Sequence, residues 1–300
     1  MRLSIGSALL GITLGASGIA AAQSGAKSRP VPLATVESVQ LSASVERGKQ
    51  VLPLAPGMEL KGGDRVNTGA QSRLALKLAD GSTIRIGERG SFFFDRMARR
   101  DDGVFEAVFF VAEGAFRFAT SALERLSGKR DVTIIVNNVT AGIRGTDLWG
   151  KSSAESDIVC IIEGGAEITP PGEKPFMLDQ PLSYYALEGN LSKPVETVEP
   201  DKFKEWVAET ETRPGEGVAT RGGKWKITVS SVKKSGEALA VYNELRKAGY
   251  TAEILPEKVG EQRVYSVRLS NFESEKDAKF VVEKLKGEAD LGKHDYKVRK

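Results

Sequence analysis

The sequence predicts a chain of two bodies, an all-β domain followed by a smaller α+β domain. Three observations carry that expectation. From about Thr35 to Thr197, short runs alternate apolar and polar residues, the period of half-buried strands, and Gly- and Asp-rich turn signals separate them. Near Pro200 the pattern becomes helical and then breaks at Arg213-Pro214-Gly215 and Arg221-Gly222-Gly223. Beyond Lys224 a strand-then-helix pattern occurs twice in one register, 40 residues apart.

Taken in order, Met1-Arg2 and the uncharged Leu/Ile/Ala/Gly run through Ala20-Ala21-Ala22 read as a cleaved export signal over 1–22, with a flexible leader over 23–34. A retained anchor is the alternative. No later segment reaches membrane-span length without charge, so the mature chain is expected to lack a span. Export implies the periplasm, an oxidising compartment. The single cysteine, Cys160, cannot form an internal disulfide, so both bodies must hold by packing.

The β body spans 35–197. Arg73-Leu74-Ala75-Leu76-Lys77-Leu78 and Ser82-Thr83-Ile84-Arg85-Ile86, joined through Asp80-Gly81, predict a hairpin. The whole predicts a sandwich or a stack of short strands, with Asp64 and Asp80 capping turns. Only Ala122–Leu126 looks helical within it. Next, Asp201–Thr212 sets Phe203, Trp206 and Val207 on one helical face, which predicts a short helix capping the β body. The Gly- and Pro-broken stretch after it reads as a flexible linker, the two together filling 198–222.

In the last body, 223–300, Trp225 matches Tyr265, Ile227 matches Val267 and Val229 matches Leu269. The match continues from Ala238, Val241 and Leu245 to Ala278, Val281 and Leu285. Further strands at Thr251–Leu255 and Tyr296–Val298 complete βαββαβ, a four-stranded antiparallel sheet with two helices on one face. The uncovered face then presents Lys226, Thr228, Ser230, Ser266 and Arg268, flanked by Lys224 and Ser270, with no large apolar side chain. Such a face suits an extended polymer. This body has 17 Lys and Arg against 12 Asp and Glu, a net of +5, which fits an acidic partner.

Catalysis finds little support. A histidine-dependent triad would have to use His294, the sole histidine, and no serine or cysteine motif accompanies it. One His and one Cys in different bodies make a poor zinc set, and no other metal or cofactor is expected. Spacing alone does not exclude a carboxylate pair, but Glu113-Gly114 and Glu163-Gly164-Gly165 read better as strand-end turns. RNA-binding modules share the βαββαβ arrangement but stack bases on exposed aromatics, which this open face lacks, so no nucleic acid is expected.

Trp225-Lys226-Ile227-Thr228-Val229-Ser230-Ser231-Val232 and Tyr265-Ser266-Val267-Arg268-Leu269-Ser270-Asn271-Phe272, with Gly249-Tyr250, resemble the sporulation-related repeat (SPOR) domain over Lys224–Lys300. That resemblance implies binding of peptidoglycan glycan strands stripped of stem peptides, as found at the division septum, with Arg268 and Thr228 on the glycan face. Thr228 and Ser230 depart from the family pattern, which often has Gln and Gly there. In the β body, Gly63-Asp64, Asp80-Gly81-Ser82, Gly114-x-Phe116-x-Phe118 and Thr140-Ala141-Gly142-Ile143-Arg144-Gly145-Thr146-Asp147-Leu148 resemble the FecR domain. No cytoplasmic domain precedes the export signal, so the namesakes' signalling to a sigma factor is not expected here. Arg144, between two glycines, is expected to hold turns. Two functions follow. In one, the tail docks on septal peptidoglycan while the β body contacts an envelope or division protein. In the other, the β body senses a ligand and the tail only tethers it.

Overall fold

In a computed structural model the described residues are 32–121, 130–143 and 145–300. The export signal, the helix expected over Ala122–Leu126 and Arg144 lie outside them. From Pro32 to Lys300 the chain forms one compact unit.

The β body begins with β1 (Ala34–Gln40), β2 (Ala43–Arg47), β3 (Gln50–Pro53), β4 (Glu59–Leu60), β5 (Arg65–Thr68), β6 (Arg73–Leu78) and β7 (Thr83–Ile86). It continues through β8 (Ser91–Arg99), β9 (Phe105–Ala119), β10 (Arg130–Val136), β11 (Val139–Ile143), β12 (Asp147–Ser152) and β13 (Ser156–Glu163). It closes with β14 (Ala166–Thr169), β15 (Phe176–Leu178), β16 (Ser183–Glu188), β17 (Leu191–Ser192) and β18 (Glu196–Thr197).

These strands make a two-layer sandwich. One sheet runs β1-β6-β7-β9-β12-β13-β16, and the other runs β3-β2-β5-β8-β9-β10-β11-β14-β15. Their inner faces share one core, in which Phe92, Phe94, Phe109 and Phe116 meet edge-on or tilted. The hairpin read at Asp80-Gly81 is present. Leu76 pairs with Ile84, Gly81 takes φ +81°, and the Asp80 carboxylate accepts from the Ser82 amide and hydroxyl at 2.9 and 2.7 Å. Asp64 likewise caps its turn, accepting from the Lys61 amide, and also holds Arg47 in a two-pronged ion pair.

β9 belongs to both sheets. Its first half pairs with β8 and, in parallel, with β10; its second half pairs with β7 and β12. The crossing bends at Gly114, where φ is +90° and an added Cβ would lie 2.6 Å from the Gly90 Cα. Only glycine fits both demands. Gly114→Ala is expected to cost about 1–3 kcal/mol of stability, read as a lowered urea midpoint.

Helix α1 (Pro200–Ala208) caps the β body as expected. Trp206 stacks on buried Trp149 with centroids 4.7 Å apart, Tyr184 meets it edge-on, and Phe203 packs on the same cluster. Cys160 lies in that cluster, and burial pushes its thiol pKa up to about 12. Alkylation at neutral pH is therefore expected only after unfolding, which a denaturant-dependent labelling curve would test.

The stretch read as a flexible linker is fastened in the structure. Val218–Thr220 forms β19, which pairs with β1 on one side and, at Ala219, with Phe272 on the other. A strand of the first sheet is thereby joined to the sheet of the second body. Glycine and proline signalled the break in pattern, but mobility depended on partners elsewhere in the chain.

The second body has β20 (Trp225–Val232), α2 (Ser235–Lys247), β21 (Ala252–Val259), β22 (Gln262–Phe272), α3 (Glu275–Lys286) and β23 (Lys297–Arg299). The sheet order is β21-β22-β20-β23, antiparallel throughout. The repeated positions Ile227, Val229, Ala238, Val241, Leu245, Val267, Leu269, Ala278, Val281 and Leu285 form its core. Trp225 and Tyr265 only border it.

Candidate functional site

The face of this sheet away from the helices follows from strand register. Thr228 pairs with Arg268 and with Lys297, and Lys226 pairs with Arg299, so these five side chains share that face. Lys226, Thr228 and Arg268 therefore lie together, as the alternation predicts. Ser230 does not join them. The register shifts between Thr228 and Ser230, a bulge that sets Ser230 opposite the core residue Val267 and brings Ser231 round to Ser266 instead. A strict period of two cannot foresee a one-residue insertion.

Ser266 is on the predicted face but almost wholly covered, at 1% exposure. Its hydroxyl lies 3.0 Å from that of Ser231 and donates to Glu257 at 2.7 Å. Glu257 also takes the Arg268 guanidinium in a close ion pair. The Ser266 hydroxyl first, and the guanidinium after it, hold the Glu257 carboxyl below its ordinary range. Arg268 is thus a partly buried, partnered cation rather than an open one. Leu255, directly opposite Ser266, and Val264 share this face, which corrects the expectation that it lacks large apolar side chains.

Charge divides the face. Glu253 and Glu257 line the β21 edge, while Lys226, Lys297 and Arg299 line the β20–β23 edge. Lys297 lies 3.5 Å from Asp295, whereas Lys226 and Arg299 have no ion-pair partner among the described residues. Sequence reasoning missed Lys297 and Arg299. Their signal was the alternation Tyr296-Lys297-Val298-Arg299 in the strand expected at Tyr296–Val298, whose outward residues were not carried onto the open face. The arrangement can hydrogen-bond hydroxyls through Thr228 and Ser231 and attract carboxylates through two open cations.

Removing the local counter-charge should expose Arg268. Glu257→Gln is expected to raise retention on an acidic glycan about threefold, because a half-exposed pair of this kind is worth about 1 kcal/mol. Pelleting with the polymer would read it.

Comparison with known proteins gives two family matches. The FecR protein family model matches residues 64–167, and the SPOR domain model matches residues 222–293. No curated protein matches the chain. Two crystal structures of a predicted anti-sigma factor from Parabacteroides distasonis are similar at 11% and 10% identity. Each aligns over 75% of this chain, and over 92% and 91% of its own, with a TM-score of 0.40.

Proposed function

From a chain that carries a FecR domain and a SPOR domain, we propose a cell-envelope protein that binds peptidoglycan through the open sheet face of its second body. Glycan strands stripped of stem peptides, at the division septum of the periplasm, are the intended polymer. The observation that carries this reading is the pair of cations, Lys226 and Arg299, that have no ion-pair partner among the described residues and flank Thr228 on an uncovered sheet. Glycan strands offer hydroxyls, amides and lactyl carboxylates along an extended chain, and this edge offers matching donors. Stem peptides would crowd a strand lying flat across the sheet, so stripping them should favour contact. The FecR domain serves in this reading as the interaction or scaffolding module, and neither body acts as an enzyme.

The test is pelleting of the full chain with intact sacculi and with sacculi pretreated with an amidase. Stronger retention on the stripped material supports the reading. Equal retention, or none, contradicts it.

A further inference from the structure

A second charged feature lies in the β body, far along the chain from the glycan residues. The bend of β9, the Glu88–Arg89 turn, the β12–β13 hairpin and Glu209 beyond α1 line an open cavity of about 350 Å³. That volume is in the range of small-molecule sites. Its wall includes Arg73, which is only 5% exposed. The Arg73 guanidinium donates from Nη1 to the Ser72 carbonyl at 2.8 Å, its Nε has no partner, and no carboxylate stands within ion-pair distance among the described residues. A guanidinium has five N–H donors, and burying it without a counter-charge is costly. Burial first, then the charge of Arg213, push its pKa below the ordinary value, against the weaker opposing pull of Glu88, Glu209 and Glu216.

The other charges of the cavity are arranged differently. Lys151 is taken by Glu209 at 2.8 Å, and Glu88 accepts from the Gln71 amide at 2.6 Å. Glu113 and Glu155 are exposed lining residues with no ion-pair partner among the described residues. Arg89 is a further, exposed cation at the rim. A simple anion would be drawn to Arg73 and Arg89 but opposed by the four carboxylates of the lining, Glu88, Glu113, Glu155 and Glu209. A simple cation would meet the reverse. A ligand carrying both charges satisfies both.

We propose that this cavity binds a small zwitterion, such as an amino acid or short peptide, with its carboxylate on Arg73 and its ammonium toward Glu113 and Glu155. The site is independent of the glycan-binding reading and would make the FecR domain a ligand-binding module. It forms where β9 passes from one sheet to the other, so an occupant would brace that crossing.

Calorimetric titration of the full chain with alanylalanine, acetate and ethylamine tests the proposal. Alanylalanine should bind, with acetate and ethylamine each weaker by about tenfold or more. Arg73→Met should weaken alanylalanine by at least about tenfold without lowering Tm, since it replaces a buried charge that has no contacting counter-charge with an apolar chain. Glu113→Gln combined with Glu155→Gln, both exposed and safe for folding, should weaken alanylalanine but not acetate. No binding of alanylalanine by the unaltered protein, equally tight acetate, or undiminished binding by the Glu113/Glu155 variant would overturn it. Retention on stripped sacculi should be unchanged in every variant, so the two readings fail separately.

Discussion

Asp277→Ala is expected to remove about 3 kcal/mol or more of stability and to split one unfolding transition into two. The Asp277 side chain is 1% exposed, in the first turn of α3. Its Oδ1 accepts from the backbone amides of Gly215, Gly217 and Val218 at 2.8, 3.0 and 2.8 Å, and Oδ2 takes the Ser274 hydroxyl. Gly215 and Gly217, both at positive φ, let those amides converge on one oxygen. Alanine would leave three buried donors unpaired, each costing about 1 kcal/mol or more. The same carboxylate fixes the turn that delivers β19 to both β1 and β22, so its loss also weakens the coupling between the bodies. Asp277→Asn keeps an acceptor and should fall between. Denaturant unfolding followed by tryptophan fluorescence checks both parts, because Trp149 and Trp206 report the β body while Trp225 reports the second.

The double change Lys226→Ala and Arg299→Ala is expected to weaken binding to stripped glycan by about 100-fold, at roughly 1.4 kcal/mol for each charge-assisted contact. Stability should change little, since neither side chain has an ion-pair partner among the described residues. Arg268→Ala should cost less binding, because Glu257 already occupies its guanidinium. That order reverses the one the sequence alone suggests, where Arg268 was the foremost cation. A sedimentation isotherm for each variant on amidase-treated sacculi measures it.

These two cases show what the sequence made legible. Periodicity located the second body because its repeat is a repeat of core residues: buried Ile227, Val229, Ala238, Val241 and Leu245 recur 40 residues on as buried Val267, Leu269, Ala278, Val281 and Leu285. The FecR domain was legible as strands and turns, since Asp80-Gly81 needs only local chemistry. Its two-sheet pairing was not, because a 15-residue strand shared between sheets leaves no mark except Gly114. The site was half legible. Alternation placed Lys226, Thr228, Ser266 and Arg268 on one face, but the bulge that displaces Ser230 and the carboxylate that neutralises Arg268 arise from pairing across strands. Likewise, nothing near Gly215 announced that Asp277, far along the chain, would fasten it.

The most direct test of glycan binding is an amide chemical-shift map of the full chain titrated with soluble glycan fragments lacking stem peptides. Glycan binding through the open sheet face predicts shifts concentrated at Lys226, Thr228, Ser231, Lys297 and Arg299, fading toward Glu253. Shifts confined to α2 and α3, to the FecR domain, or to no residue at all would contradict it.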